Sequence, residues 1–399
     1  MIPRKRLDIG WMDLLFGAGC CLWPGDRTAA ERRLASAWCP EEPGRALACL
    51  SVRSGFDALL QALALPAGSE VLISALTIRD MVRIVAEHGL VPVPVDVDPH
   101  TLAVCPEALA RAVSPRSRAI VVAHLFGSRM PLAPVLDLGR AHGLLVIEDC
   151  AQAYTGDGYR GDPESDVSLF SFGPIKTATA LAGGLLRFRD PSLRDRVAAV
   201  QAAWPVQDRS RFLIRSGKYA LLKLLSYRSV FTLFTALCRL VGQSHDAIIS
   251  GSVRGFAGAG FFAKIRQRPA FPLLALLAHR LKSFDRSRIA SRSALAQEAI
   301  HGMPAIERPG DQAAWHSYWV FPVCQDDPEK LIGFLWDQGF DATRGASSLC
   351  VVSPPEDRPE TEPALARRTF ERLLYLPAHE GMNRRDIENL VRAVTNAMR

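Results

Sequence analysis

Two residue types in this sequence, a lysine and an aspartate, sit in settings that point to one kind of chemistry. Lys176 closes the segment FSFGPIK, and Asp149 lies upstream in VIEDCAQA. An amine placed this way can form a Schiff base with a cofactor aldehyde, and a carboxylate can keep a pyridine nitrogen protonated. Together they suggest bound pyridoxal 5'-phosphate, whose ring takes up electrons from a substrate carbanion. Lys176 follows an apolar run and a Gly-Pro turn, and no charged residue separates it from Arg187. A lysine in so weakly polar a stretch loses its proton readily, as Schiff-base chemistry requires.

Such a cofactor also needs a phosphate cup. Ser54 and Gly55, in SVRSGFDALL, open a helix whose free N–H groups and positive dipole end suit an anion. Alone, Ser54 reads as an ordinary helix cap, Asp149 as a turn residue and Lys176 as a surface lysine. The three in this order read as a site. Glu148 and Asp149 point to opposite faces of a strand, so only one of them meets a ligand there. Gln152, three residues on, could contact the ring's oxygen or backbone.

The elements that would hold these groups alternate between strand and helix periods. Helices are expected at 54–65, 77–88 and 133–142, and strands at 70–74, 91–96, 118–123, 144–148, 166–172 and 184–187. The alternation predicts an α/β fold: a three-layer sandwich with a mainly parallel sheet between helices. In that architecture ligands gather at strand ends, where Asp149, Ser171 and Lys176 fall. Four regions follow: an N-terminal segment (1–44), a large cofactor-binding domain (45–204), an insertion (205–290) and a small C-terminal α+β domain (291–399). In the last, helices are expected at 291–300, 328–338 and 383–398 and a strand at 317–324.

The insertion is the basic part of the chain. It carries 15 Lys or Arg against 3 Asp, whereas the whole chain is only +7. Tyr219 to Val241 reads as one apolar amphipathic helix, and Phe271 to Phe284 as a second apolar run edged by basic residues. Two readings stay open: both helices pack into the fold or a dimer interface, or they attach peripherally to an anionic membrane. GFAGAGFF (255–262) reads as a mobile loop. No nucleic-acid-binding module is recognisable. The 9 cysteines are scattered without metal spacing, which indicates reduced thiols in a cytoplasmic protein and no metal site. The N-terminus has the outline of a secretion signal, but Asp8 and Asp13 interrupt it. No stretch has the roughly 20 apolar residues of a membrane span.

Residues 45–190 resemble the sugar aminotransferases named for DegT and StrS, within the fold-type I pyridoxal phosphate enzymes. The resemblance rests on the order of Ser54-Gly55, DVDP (96–99), HLFG (124–127), IEDCAQA (147–153) and FSFGPIK, followed by Gly183-Gly184. It resumes more weakly at 315–344 and 373–391. It implies that Lys176 forms the Schiff base and shuttles the proton, while Asp149 pairs with the pyridinium and Gln152 lies beside the ring hydroxyl. Ser54, the backbone of Gly55 and Phe56, and Ser171 would hold the phosphate. It also implies a homodimer, an amino-acid donor such as glutamate, and a keto-sugar acceptor, nucleotide-linked. Relatives with histidine at the lysine position are dehydratases, so lysine favours amino transfer. This chain departs from the pattern in Phe56 for threonine, in Leu76 or Ile78 for a stacking aromatic, and in Ala182 for an acidic residue. An N-Y-R motif is missing, with Lys218 nearest to its place. The departures keep two alternatives in view: a different pyridoxal phosphate reaction on a lipid-linked substrate, or a non-catalytic cofactor-binding relative.

Overall fold

The computed structural model describes residues 1–253, 255–256, 258–345 and 349–398. Its strands are β1 (Ala46–Cys49), β2 (Glu70–Ser74), β3 (Leu76–Ile78), β4 (Val91–Val95), β5 (Ser117–Ala123), β6 (Leu145–Asp149), β7 (Val167–Ser171), β8 (Gly184–Phe188), β9 (Phe321–Cys324), β10 (Leu349–Val351) and β11 (Leu373–Leu376). The main sheet has seven strands in the order β1-β8-β7-β6-β5-β2-β4. Strands β7, β6, β5, β2 and β4 run parallel, and β8 lies antiparallel between β1 and β7. Parallel strands are covered on both faces and so read as near-continuous apolar runs. Accordingly, all of β2 is buried.

Alternate residues of these strands enter different cores, as the two-residue period demands. Leu47, Leu169 and Leu186 join Phe56, Leu59 and Val197 of the helices Val52–Leu63 and Pro191–Ala202. Ala48, Phe170 and Leu185 face the other way, toward Trp38 of the helix Arg27–Trp38 and Leu273 and Leu277 of the helix Phe271–Lys282. The result is the three-layer α/β sandwich expected from the sequence. The helices Ser287–Gly302, Pro328–Asp337 and Arg384–Ala397 form a further apolar cluster with the antiparallel pair β9–β11.

Several elements differ from the sequence reading, each for a local reason. The helix expected at 54–65 begins at Val52, because Ser51 caps it by accepting the Ser54 N–H at 3.1 Å. The helix expected at 77–88 starts only at Arg79, since Leu76–Ile78 pairs with β10. The single helix expected at 219–241 is two helices, Arg209–Leu224 and Arg228–Leu240, turned by 93°. At the break the Lys223 carbonyl accepts both the Ser226 hydroxyl at 2.6 Å and the Ser226 N–H at 3.0 Å, a tight turn in place of the next helical bond. For the run Phe271–Phe284 the structure favours the first of the two open readings, packing into the fold. Leu273, Leu274, Leu276 and Leu277 are buried beneath the helices Trp11–Leu22 and Arg27–Trp38, so this face meets protein and not a membrane. Of the loop expected at 255–262, Ala257 lies outside the described residues, and Phe261 and Phe262 open a short helix. The strand expected at 317–324 is confined to Phe321–Cys324.

The Gly183-Gly184 pair has a steric cause. A Cβ on Gly184 would lie 2.7 Å from Ser51 C and Val52 N, backbone atoms at the start of the helix Val52–Leu63. Gly184→Ala is therefore expected to destabilise the protein by about 1–3 kcal/mol through overpacking. Gly217→Ala is the control: it sits in an exposed helical position with no atom within 4 Å of the added Cβ, so it should be neutral to slightly stabilising. Thermal unfolding of the two variants distinguishes a close approach from a general intolerance of alanine.

Candidate active site

The ends of β6 and β7 open onto a cavity of about 620 Å³ that is bordered by Ser51, Arg53, Asp149, Gln152, Ser171 and Lys176. Asp149 ends β6 with one carboxylate oxygen accepting the Ala151 N–H at 2.9 Å. Burial raises its pKa, against the Ala151 hydrogen bond and the charge of Lys176. Lys176 follows β7 in a turn closed by its own N–H to the Gly173 carbonyl at 3.0 Å. Desolvation is the main cause that lowers the Lys176 amine to about 8, with Asp149 opposing the shift and Arg53 adding to it. The amine lies 4.2 Å from the centroid of the Trp319 ring, and the Trp319 indole N–H donates to the Ile175 carbonyl at 3.1 Å. Lys5, from the N-terminal segment, lies 3.9 Å from the same ring.

Glu148, the other acidic residue of β6, is turned into a polar network beneath the cavity. The Met130 N–H donates to His124 Nδ1 at 3.1 Å, so Nε2 carries the hydrogen that reaches Glu148 at 2.7 Å. Glu148 also accepts from the Tyr159 hydroxyl, from the Asp162 N–H at 2.8 Å, and from Ser165 and Ser168, each at 3.1 Å. Burial opposes its ionisation, but His124, Tyr159 and the Asp162 N–H overcome it and hold the carboxyl at about 2. His124, Glu148 and Cys150 bring ligand-type atoms within 4.8 Å of one another. The nitrogens of His124 and the oxygens of Glu148 are already occupied in this network.

The phosphate side needs a correction. Ser54, Gly55 and Phe56 do not border the cavity. Ser54 is fully buried with its hydroxyl 2.9 Å from that of Ser51, and Phe56 lies in the core. A Cβ on Gly55 would lie 2.6 Å from Leu186. Because the helix starts two residues earlier than expected, with Ser51 as its cap, Ser51, Val52 and Arg53 lie at its N-terminus, where backbone N–H groups and the dipole favour an anion. Arg53 is held by Asp80 at 2.6 Å. The signal for this was present: Ser51 is a serine three residues before Ser54, and serine is a favoured helix cap.

The remaining expected residues fall on the cavity. Gln152 accepts the Phe126 N–H at 2.7 Å through its amide oxygen, which keeps its NH2 group as a donor. Ser171 accepts the Gly173 N–H at 3.5 Å. Ile78 borders the cavity and Leu76 does not, which decides between the two candidates for the missing aromatic; Ala182 also borders it. Lys218, together with Arg211 and Arg215, reaches the cavity from the helix Arg209–Leu224. Trp319 went unread in the sequence. HLFG prepares its seat: Phe126 has φ 58° and Gly127 φ 98°, and a Cβ on Gly127 would lie 2.6 Å from Trp319 N.

These residues fit pyridoxal phosphate. A buried carboxylate facing the cavity suits a protonated pyridine nitrogen, a desolvated amine suits the aldehyde, and a helix N-terminus with Ser51, Arg53 and Ser171 suits the phosphate. Fold and cavity thus define a class, a fold-type I architecture of the aminotransferase kind. Residues 42–214 match the DegT/DnrJ/EryC1/StrS aminotransferase family, the family that the motifs resemble. Its members are pyridoxal phosphate-dependent. A curated relative, the L-glutamine:scyllo-inosose aminotransferase of Streptomyces griseus, is 36% identical over 188 residues, 46% of this chain and 43% of that protein. The match therefore spans less than half of the relative's length. Among solved structures, the aminotransferase TlmJ from Streptoalloteichus hindustanus superposes with a TM-score of 0.73 at 20% identity, covering 100% of this chain and 99% of that one. NtdA from Bacillus subtilis, solved with bound cofactor PMP, gives 0.69 at 17% identity over 97% of this chain and 81% of that one. At these identities the likeness establishes the fold.

Two outcomes follow from the electrostatics. In cofactor-free protein, the reactivity of the Lys176 amine should rise through pH about 8. Asp149 is the group that raises this pKa, so Asp149→Asn should move the midpoint downward; pH-dependent labelling read by peptide mass spectrometry measures it. Glu148 behaves as a carboxylate with a depressed folded-state pKa. Its stabilisation is complete above its unfolded value of 4.5 and is lost as the pH falls toward about 2. Acid unfolding of Glu148→Gln should show a weaker pH dependence across that window than the parent protein.

Proposed function

We propose that this protein is a pyridoxal phosphate-dependent aminotransferase that moves an amino group from an amino acid, glutamate or glutamine, to the keto group of a sugar or a sugar-like polyol ring. The observation that carries the reading is the placement of Lys176 and Asp149 on one cavity at the ends of adjacent parallel strands. Bound pyridoxal phosphate supplies an electron-accepting ring for the carbanion formed when a substrate loses its α-proton. Lys176 would carry that proton: its lowered pKa leaves a useful fraction of neutral amine near neutral pH, and the Trp319 ring restricts its swing. Asp149 would hold the proton on the pyridine nitrogen, and Gln152 would donate to the ring oxygen. Ser51, Arg53, Ser171 and the helix N-terminus would fix the phosphate.

The name of the Streptomyces griseus relative supports glutamine as donor and a polyhydroxylated cyclic ketone as acceptor. Arg211, Arg215 and Lys218 at the cavity support a nucleotide-linked sugar, whose diphosphate they would meet. One observation favours a second reading, an acceptor with an apolar portion: Ile214, Leu222, Leu225, Phe231, Val253 and Phe256 also border the cavity. The same proposal includes a cytoplasmic homodimer, since symmetric pairing is the commonest closed assembly, and peripheral contact with an anionic membrane.

Borohydride reduction of the purified yellow protein should fix the cofactor on Lys176, as read by peptide mapping. Glutamate or glutamine should bleach the absorbance of the unreduced protein. Lys176→Ala should lower amino transfer by more than about 100-fold. An adduct on another lysine overturns the site. Cofactor that binds but is inert to every amino donor identifies a non-catalytic relative.

A further inference from the structure

Three helices present apolar side chains to the outside at helical spacing. On Trp11–Leu22 and just beyond it, Trp11, Met12, Leu15, Phe16, Leu22 and Trp23 are exposed, Met12 by 75% and Trp23 by 77%. On Arg209–Leu224 the exposed stripe contains Ile214, Leu221 and Leu224, and on Arg228–Leu240 it contains Val230, Leu233, Leu237 and Leu240. Spacings of three, four and seven residues place each set on one face of its helix. The faces turned inward mix apolar and polar groups: Arg209–Leu224 buries Phe212 and Tyr219 with Ser216 and Lys223, and Arg228–Leu240 buries Phe231 and Cys238 with Thr235. The first two helices pack against each other, and the Trp11 indole donates to the Tyr227 hydroxyl at 3.1 Å, tying the first to the turn before the third. Lys223 donates to the Ile9 carbonyl. Single exposed apolar residues are ordinary, but outward stripes on linked helices mark a contact surface.

Charge selects the occupant. Positions 209 to 245 hold seven Lys or Arg and no Asp or Glu. Arg228 and Arg239 pair with Asp386 and Asp337, while Arg209, Arg211 and Lys218 are exposed on the second helix, Arg211 and Lys218 where it also borders the cavity. A symmetric self-contact through this face would set one basic face, with no acidic residue between 209 and 245, against another. An anionic surface answers both the cations and the apolar stripes. Tryptophans at both ends of the first stripe are the side chains favoured where headgroups meet acyl chains. No single described helix is long and apolar enough to cross a membrane, and the pair 209–224 and 228–240 is bent by 93°.

We infer that this face, formed by the helices Trp11–Leu22, Arg209–Leu224 and Arg228–Leu240, docks peripherally on an anionic lipid bilayer. The inference does not depend on which amino transfer the cavity performs. Full-length protein should float with vesicles containing phosphatidylglycerol and stay down with neutral phosphatidylcholine vesicles. Raising NaCl from about 0.1 M to about 1 M shortens the screening length from about 10 Å to about 3 Å and should weaken binding roughly tenfold or more. The triple variant Met12→Glu, Leu221→Glu, Leu240→Glu alters exposed positions and should lose flotation while keeping its melting temperature and cofactor absorbance. Quenching of parent-protein tryptophan emission by brominated lipid in the anionic vesicles gives a second readout that needs no variant. No flotation and no quenching at low salt overturns the inference, as does a variant that still floats. So does a variant that turns a dimer into a monomer in sedimentation while the parent ignores vesicles, since the face is then a self-interface.

Discussion

The structure depends on the cost of keeping charge in a partly dry cavity. Burial pushes the Lys176 amine down to about 8 and the Asp149 carboxyl up, so each group is driven toward its neutral form and each charge resists the shift of the other. An uncompensated buried charge is expensive, and a pair compensates only at close range with its remaining hydrogen bonds met. A ligand that brings a cationic nitrogen to Asp149 and consumes the Lys176 amine relieves both costs. The residues are thus more suited to the cofactor than to each other. This is why an aldehyde-bearing pyridinium, and not an inorganic ion, matches the cavity.

Keeping such a cavity requires rigid walls, and these come from parts of the chain distant in sequence. The floor is the network of His124, Glu148 and Tyr159, which leaves Asp149 as the acidic residue of β6 facing up. The side walls are drawn together by the N-terminal segment. Arg280 binds Asp13 at 2.7 Å and the Asp8 carbonyl at 2.7 Å, and Arg288 joins Asp8 to Glu380. Arg4 is held by Asp341 at 2.6 Å and by Asp246. Through these pairs residues 1–13 connect the insertion to the C-terminal elements, and Pro3 to Asp8 become part of the cavity lining. Exposed ion pairs contribute little to stability, but these are largely shielded and converge on one segment, where loss of a partner strands a buried charge.

Legibility in the sequence followed the locality of the interaction. The sheet was readable because buried parallel strands are apolar throughout, and Lys176, Asp149, Gln152 and Ser171 because strand ends hold ligands. The helix start beside the cavity was misread: two serines, Ser51 and Ser54, can each cap a helix, and it is Ser51 that does, with Gly184 packed on its backbone. Trp319 was invisible because its position depends on a contact with Gly127, nearly two hundred positions away. The break at Ser226 hides in a run of unbroken helical periodicity. Lys5 gave no signal for a like reason, since it reaches the cavity only through tertiary folding.

The insertion shows why amphipathicity alone could not tell an inner helix from an outer one. Phe271–Lys282 and Arg209–Leu224 both carry leucines edged with basic residues, yet the leucines of the first are covered and Leu221 and Leu224 of the second are exposed. What separates them is the destination of their cations. Arg280 of the covered helix meets Asp8 and Asp13, so its charge is answered inside the protein and its leucines can be buried with it. Arg209, Arg211 and Lys218 lie on the neighbouring helix Arg209–Leu224, which has no acidic residue of its own, and all three remain exposed beside an apolar stripe. A cation whose counter-charge is built into the fold directs its helix inward, whereas one left at the surface beside leucines directs it toward whatever supplies the missing negative charge.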